Sequence, residues 1–308
     1  MISRRTLLLG AAALAGLTAC TSTGTVSLTV AAGESGGFYV EFGGLLVKQL
    51  QEQGLTAAVV ETGGTVDNIG LLTGGRANLA LALADVAGTA LTGSAPFTAP
   101  VPLVALGRVY ENYMQFVVRA EDPIAGAADL VGKRVSLGAM GSGAAVFGER
   151  LLAVAGIAAE VSHRPLREAV DALGAGRSDA LLWSGGVPTP ALAELAARRP
   201  IRLLPLAAHL PELQAAFGSA YGPVSVPAGA YGPAPGVPTV GVANLLIAMP
   251  TLPDEVAGEV VRTLVQAAPA LVPTTALGTQ YLDQRSLIGT GDVPLHPGAM
   301  AAYRALHG

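Results

Sequence analysis

The sequence predicts an α/β protein of two lobes, joined by two hinge crossings, with a ligand cleft between the lobes. Three observations carry this expectation. Short β-forming runs alternate with stretches whose apolar residues recur at helical spacing, the pattern of right-handed βαβ units around a parallel sheet. Three of the strand-to-helix junctions are glycine loops, and ligands of such sheets sit beyond the carboxyl ends of the strands, where those loops fall. Late in the chain, residues 239–249 (TVGVANLLIAM) form a long apolar strand that returns to the first lobe.

Composition narrows the function classes. A chain of 308 residues with 51% hydrophobic residues can build two cores. Only 13% of residues are charged and the net charge is -4, so the basic footprint of a nucleic-acid binder is absent. The N-terminus reads as a targeting segment over residues 1–20. Arg4 and Arg5 are a twin-arginine start, residues 7–17 are an apolar core too short to span a bilayer, and Leu17-Thr18-Ala19-Cys20 has the form of a lipobox. Cys20, the single cysteine, is then the lipidated first residue of the mature chain, residues 21–25 are a polar tether, and no thiol remains for a disulfide or a metal.

Taken in order, residues 28–50 read as strand, glycine loop and helix. Gly33, Gly36 and Gly37 permit the turn, and Tyr39, Phe42, Leu46 and Leu50 mark one helical face. A helix N-terminus presents unpaired N–H groups and the positive end of its dipole, which together favour an anion. The device recurs at residues 56–72, where Thr62 or Thr65 is a candidate cap and Gly63 and Gly64 form the loop, with Asn68 either bonding a ligand or capping a turn. The apolar run 79–83 reads as a strand buried on both faces, ending at Ala84 and Asp85. Asp85 repels an anion, so it either fixes a loop or receives an ammonium group.

Residues 101–106 and 114–118 read as two further strands, the second leading across to the second lobe. There a third glycine loop, Gly141-Ser142-Gly143, precedes an apolar helix. Trp183, beside Gly185 and Gly186, either walls the cleft or belongs to the core. Arg108 and Arg119 read as surface residues near the lobe junction, and Tyr113 as cleft or core. Residues 221–238, rich in Gly and Pro, read as an irregular connection, and the acidic pair Asp254-Glu255 opens a helix before the chain ends on a short one. Lobe 1 is therefore expected at 26–116 plus 238–308 and lobe 2 at 117–237. The four histidines share no metal-ligand spacing, so neither metal nor cofactor is expected, and Ser142 lies outside a five-residue nucleophile elbow.

The motifs together resemble the TAXI family of TRAP transporter solute-binding proteins. The resemblance is carried by Ala32-Gly33-Glu34-Ser35-Gly36-Gly37-Phe38-Tyr39, Thr62-Gly63-Gly64-Thr65-Val66-Asp67-Asn68, Ala84-Asp85, Asp129-Leu130-Val131-Gly132-Lys133, Gly141-Ser142-Gly143, Gly186-Val187-Pro188 and Pro294-Leu295-His296-Pro297. It implies a type II periplasmic binding protein-like fold, no enzymatic activity, and a small carboxylate ligand, glutamate-like or a dicarboxylate, delivered to TRAP permease subunits. It also implies a monomer, held through its lipid anchor on the outer face of the cytoplasmic membrane. Ligand contacts are expected from Gly33, Ser35, Gly36, Gly37, Tyr39, Thr62, Gly64, Thr65, Asn68, Ala84, Asp85, Gly141, Ser142, Gly143, Trp183 and Gly186. Three positions depart from the family pattern: Glu34 replaces a small or hydroxyl residue, Thr65 a Ser, and Ala144 a Thr. Two rivals stand beside this reading, a ligand-sensing lipoprotein serving a partner receptor and an extracytoplasmic hydrolase using Ser142.

Overall fold

The computed structural model describes residues 27–307. The export signal, Cys20 and the tether at 21–25 lie outside the described residues. The chain opens as βαβαβα, with β1 (Ser27–Ala31), α1 (Phe38–Glu52), β2 (Thr56–Val60), α2 (Thr65–Thr73), β3 (Leu79–Leu83) and α3 (Ala84–Thr92). A sixteen-residue strand, β4 (Val104–Arg119), leads out. The βα alternation then repeats through β5 (Arg134–Ser136), α4 (Gly143–Ala155), β6 (Glu160–Ser162), α5 (Leu166–Gly174), β7 (Ala180–Gly185), α6 (Pro190–Arg198) and β8 (Ile201–Leu204). After α7 (Leu210–Phe217) and β9 (Tyr221–Val226) comes β10 (Val237–Ala248), followed by α8 (Asp254–Gln266), α9 (Gln284–Leu287) and α10 (Pro297–His307).

The strands form two halves of one curled mixed sheet. In the first half the order is β2-β1-β3-β10-β4, with β10 antiparallel to both neighbours. In the second it is β6-β5-β7-β4-β8, with β4 antiparallel to both neighbours. Each half thus repeats one topology around a strand shared with the other. Tyr113 is the changeover in β4: it faces Gly241 of β10 on one side and Gly185 of β7 on the other. This is the two-lobe α/β arrangement expected from the alternation of strand and helix.

Two local expectations were incorrect. Residues 101–106 and 114–118 are not separate strands, because the polar stretch between them continues β4. Glu111 and Asn112 are buried there, and register shifts at Asn244/Leu245 and Leu246/Ile247 let the β4–β10 pair bend without breaking. Residues 221–226 are a strand and not a loop. β9 pairs only with β10, and the Pro223 it carries is tolerated because it is an edge strand.

The sheet is covered by amphipathic helices. Phe38, Phe42, Leu46 and Leu50 of α1 are fully or nearly fully buried against β1, β3 and α8. One core cluster joins the halves, with Leu83 and Val86 in contact with a group that includes Phe147, Leu151 and Leu182. Among the described residues no helix is long and apolar enough to cross a membrane. Phe147 is fully buried in this shared cluster, so Phe147→Ala is expected to cost about 3–5 kcal/mol. A lower urea midpoint with an unchanged slope checks this; an unchanged midpoint would show that the shared cluster does not stabilise the fold.

Candidate functional site

Three helices point their N-termini at one small cleft. Their N-caps, Gly37 of α1, Gly64 of α2 and Ser142 of α4, all line it. The cleft offers about 30 Å³ to the centre of a water-sized sphere, enough for about two waters. A larger ligand requires the halves to part. They meet where the Val66 N–H donates to the Gly141 carbonyl at 3.0 Å. Gly64 is required at this meeting, since its φ is +126° and an added Cβ would stand 3.2 Å from the Ser142 Cα.

Around these termini the side chains are polar but carry little charge. Thr65 Oγ1 accepts from the Leu83 N–H at 3.3 Å and lies 3.4 Å from the Tyr39 hydroxyl. Asn112 Nδ2 donates to Ser184 Oγ at 3.2 Å, leaving its Oδ1 buried without a partner. Trp183 Nε1 is likewise buried and unpartnered. Glu34 is the one formally charged lining residue, and the described lining holds no Arg, Lys or His. One Glu34 oxygen accepts from the Leu166 N–H at the start of α5, and the other has no partner. Burial pushes the Glu34 carboxyl up to about 7, with Asp67 and Glu168 adding to the rise and the Leu166 N–H opposing it. Leaving a buried polar atom unpaired costs about 1–3 kcal/mol. Three such atoms on the walls of one cleft mark groups available to a ligand.

Of the expected contacts, Gly33, Gly37, Tyr39, Gly64, Thr65, Ser142, Gly143 and Trp183 line this cleft together. The others lie elsewhere, each for a visible reason. Ser35 is exposed, and Gly36 is half-buried against Arg167, with φ +81°. Thr62 donates to Asn68 Oδ1 at 2.5 Å and accepts from the Gly64 N–H at 3.1 Å, so its hydroxyl serves its own loop. Asn68 ties α2 to the sheet through the Ala32 and Leu81 carbonyls, at 2.5 and 2.7 Å. The Gly141 carbonyl is taken by Val66, Ala84 faces a different cavity, and Gly186 packs against Phe38. Neither Thr62 nor Thr65 caps α2, whose N-cap is Gly64. The Ser142 hydroxyl accepts from the Ala145 N–H at 3.0 Å, a helix cap.

Asp85 fixes structure between the halves. It is buried, and its Oδ2 receives Arg150 Nη1 of α4 at 3.1 Å and the Tyr221 hydroxyl at 2.8 Å. Arg150 also reaches Thr89 at 2.8 Å. Burial raises the Asp85 pKa, with Arg150 and Tyr221 pulling against the rise. Arg119 is buried, not on the surface: it holds the Leu173 and Ser178 carbonyls and pairs with Asp122 at 2.7 Å. The buried Tyr113 bonds Thr279 at 3.1 Å. Sequence reasoning missed Phe38, Gly63, Leu83, Asn112, Ser184 and Gly185 as lining residues. Asn112 and Ser184 were detectable in principle, as polar residues set within apolar strands. Among the described residues no group of three His, Cys, Asp or Glu is arranged to hold a metal.

The fold is the two-lobe α/β arrangement of type II periplasmic binding proteins. Residues 30–305 match the NMT1-like family, and the chain belongs to it. Solved structures are similar at low identity. The GluR0 ligand-binding core in complex with L-glutamate matches at TM-score 0.51 and 9% identity, over 80% of this chain and 96% of that one. The aliphatic sulphonate binding protein SsuA from Escherichia coli matches at 0.45 and 16%, over 91% and 82%. The glutamate complex of the GluR0 core from Nostoc punctiforme matches at 0.46 and 16%, over 79% and 95%.

The buried pair between α3 and α4 gives a test. Arg150→Met leaves Asp85 buried without its cation and is expected to cost about 3–5 kcal/mol near neutral pH. Without Arg150 the folded-state pKa of Asp85 rises further above its unfolded value, so the loss should shrink as pH falls towards that value and grow as pH rises. Denaturation at pH 5 and pH 8 measures this, with Asp85→Asn/Arg150→Met expected to recover part of the loss. Equal destabilisation at both pH values would remove the charge from this account.

Proposed function

We propose that this chain is the extracytoplasmic solute-binding protein of a TAXI-type TRAP transporter. Its lobes, 26–116 plus 238–308 and 117–237, close on a small carboxylate and deliver it to membrane permease subunits, and Cys20 carries the lipid that holds the protein at the membrane. The reading rests on one observation: three helix N-termini converge on the cleft with no cation among its described lining residues. Oriented N–H groups and dipoles suit a carboxylate in a small site from which water is excluded. The Asp85–Arg150 pair and the shared strand support closure as a movement of two packed bodies. The Ser142 hydroxyl serves α4 as its cap, which supports binding over hydrolysis.

Glu34 divides the two carboxylate classes. An ionised Glu34 repels a second carboxylate but pairs with the ammonium group of an amino acid. With its pKa near 7, a dicarboxylate must bind the protonated form, and its affinity should fall by up to about tenfold per pH unit above 7. A glutamate-like amino acid should bind equally well or more tightly over the same range. Titration calorimetry with glutamate, glutamine, 2-oxoglutarate and C4 dicarboxylates at pH 6 and pH 8 separates the classes, and Glu34→Gln should flatten either profile. A ligand at a hundred times its Kd stabilises by about 2.7 kcal/mol. If only uncharged solutes raise the melting temperature, the anion reading is wrong.

Trp183→Phe keeps an aromatic ring but deletes the pyrrole ring with its unpartnered N–H. It is expected to weaken the ligand about tenfold, about 1.5 kcal/mol for a hydrogen bond to a charged group, and to lower the melting temperature of the free protein modestly, because Trp183 is buried in a core cluster. Undiminished affinity would show that the indole serves packing alone.

A further inference from the structure

We propose that a second ligand site, for a small organic anion, lies behind the hinge on the opposite face of β4 from the cleft. A cavity of about 370 Å³ opens there and shares no lining residue with the cleft. Successive strand residues point to opposite faces. Asn112 lines the cleft, whereas Glu111 and its cross-strand partner Ala243 line the rear cavity. The remaining walls come from the start of β9, including Tyr221, and from the C-terminal segment 281–292, including Tyr281.

Arg108 makes this cavity a candidate site. It is the one cation among the described lining residues. Its guanidinium is held in place, stacked 3.6 Å above the Tyr281 ring and joined through Nη2 to Glu111 at 3.1 Å. The same Glu111 oxygen accepts from the Tyr281 hydroxyl at 2.6 Å, so Glu111 positions both groups. Arg108 Nε is buried without a partner. A guanidinium ordered in advance loses little freedom on gripping a carboxylate. Burial raises the Glu111 pKa, with the Tyr281 hydroxyl and Arg108 pulling against the rise. Asp292, exposed at the rim, is the remaining opposing charge.

Position gives the site a consequence. An occupant would touch β4, the strand common to both halves, its partner β10, and Tyr221, which is bonded to the Asp85–Arg150 pair. Binding there would shift the angle between the halves, and by reciprocity affinity in the cleft, to the extent that the occupant's contacts differ between the open and closed forms.

Citrate is the probe. Calorimetry on the full chain should show saturable citrate binding in the millimolar range or tighter. Two changes should weaken it at least tenfold: Arg108→Gln, which removes the charge, and Ala243→Phe, which puts a bulky side chain into the cavity from its β10 wall. Asp292→Asn, at an exposed position, should tighten it severalfold, and Trp183→Phe in the cleft should leave it unchanged. No saturable citrate binding to the unaltered chain overturns the site. So does citrate binding that is weakened by Trp183→Phe yet indifferent to Arg108→Gln and Ala243→Phe, which would place citrate in the cleft.

Discussion

The structure depends on one strand, β4, that belongs to both halves of the sheet. It pairs with β10 through Val104–Tyr113 and with β7 and β8 through Tyr113–Arg119. Neither half completes its hydrogen-bonded ladder without a strand that also serves its neighbour. The halves therefore cannot separate while β4 stays paired, and the β4–β10 ladder bends at the register shifts beside Asn244 and Leu246. A connection that is strong along the strands and compliant across them lets a cleft open without exposing a core.

Everything polar at the junction is arranged around that bend. On the front face the α1, α2 and α4 N-termini meet, so the cleft presents oriented backbone dipoles and, among its described lining residues, no cation. Backbone groups are fixed by the helices and need little reorganisation when a ligand arrives. Glu34 follows the same pattern: it accepts from an α5 N–H across the cleft, and burial raises its pKa to about 7. On the rear face Arg108 and Glu111 neutralise one another beneath Tyr281.

Much of this was legible in the sequence because backbone requirements leave strong marks. Glycine before an apolar helical stripe announced the three loops, and eight of the sixteen expected contacts share the cleft. The failures have a common cause. Asn68, Thr62 and Asp85 stand in the right loops but satisfy their own neighbours, and a sequence cannot say whether a polar side chain points at a ligand or at a carbonyl of its own chain. Asn112 and Ser184 were missed for the opposite reason, since they lie within strands, where a polar residue reads as an interruption. Continuity of β4 was hidden by the same polar residues, whose burial depends on strands more than a hundred positions away.

The single tryptophan of the chain, Trp183, sits in the cleft wall with its indole packed beside Gly37. Gly37 comes from α1 and Trp183 from β7, so the two approach only when the halves are together. Tryptophan emission from this protein therefore arises from one place, the wall of the cleft where the two halves meet. The molecule carries its own optical gauge, readable without a dye or an engineered label.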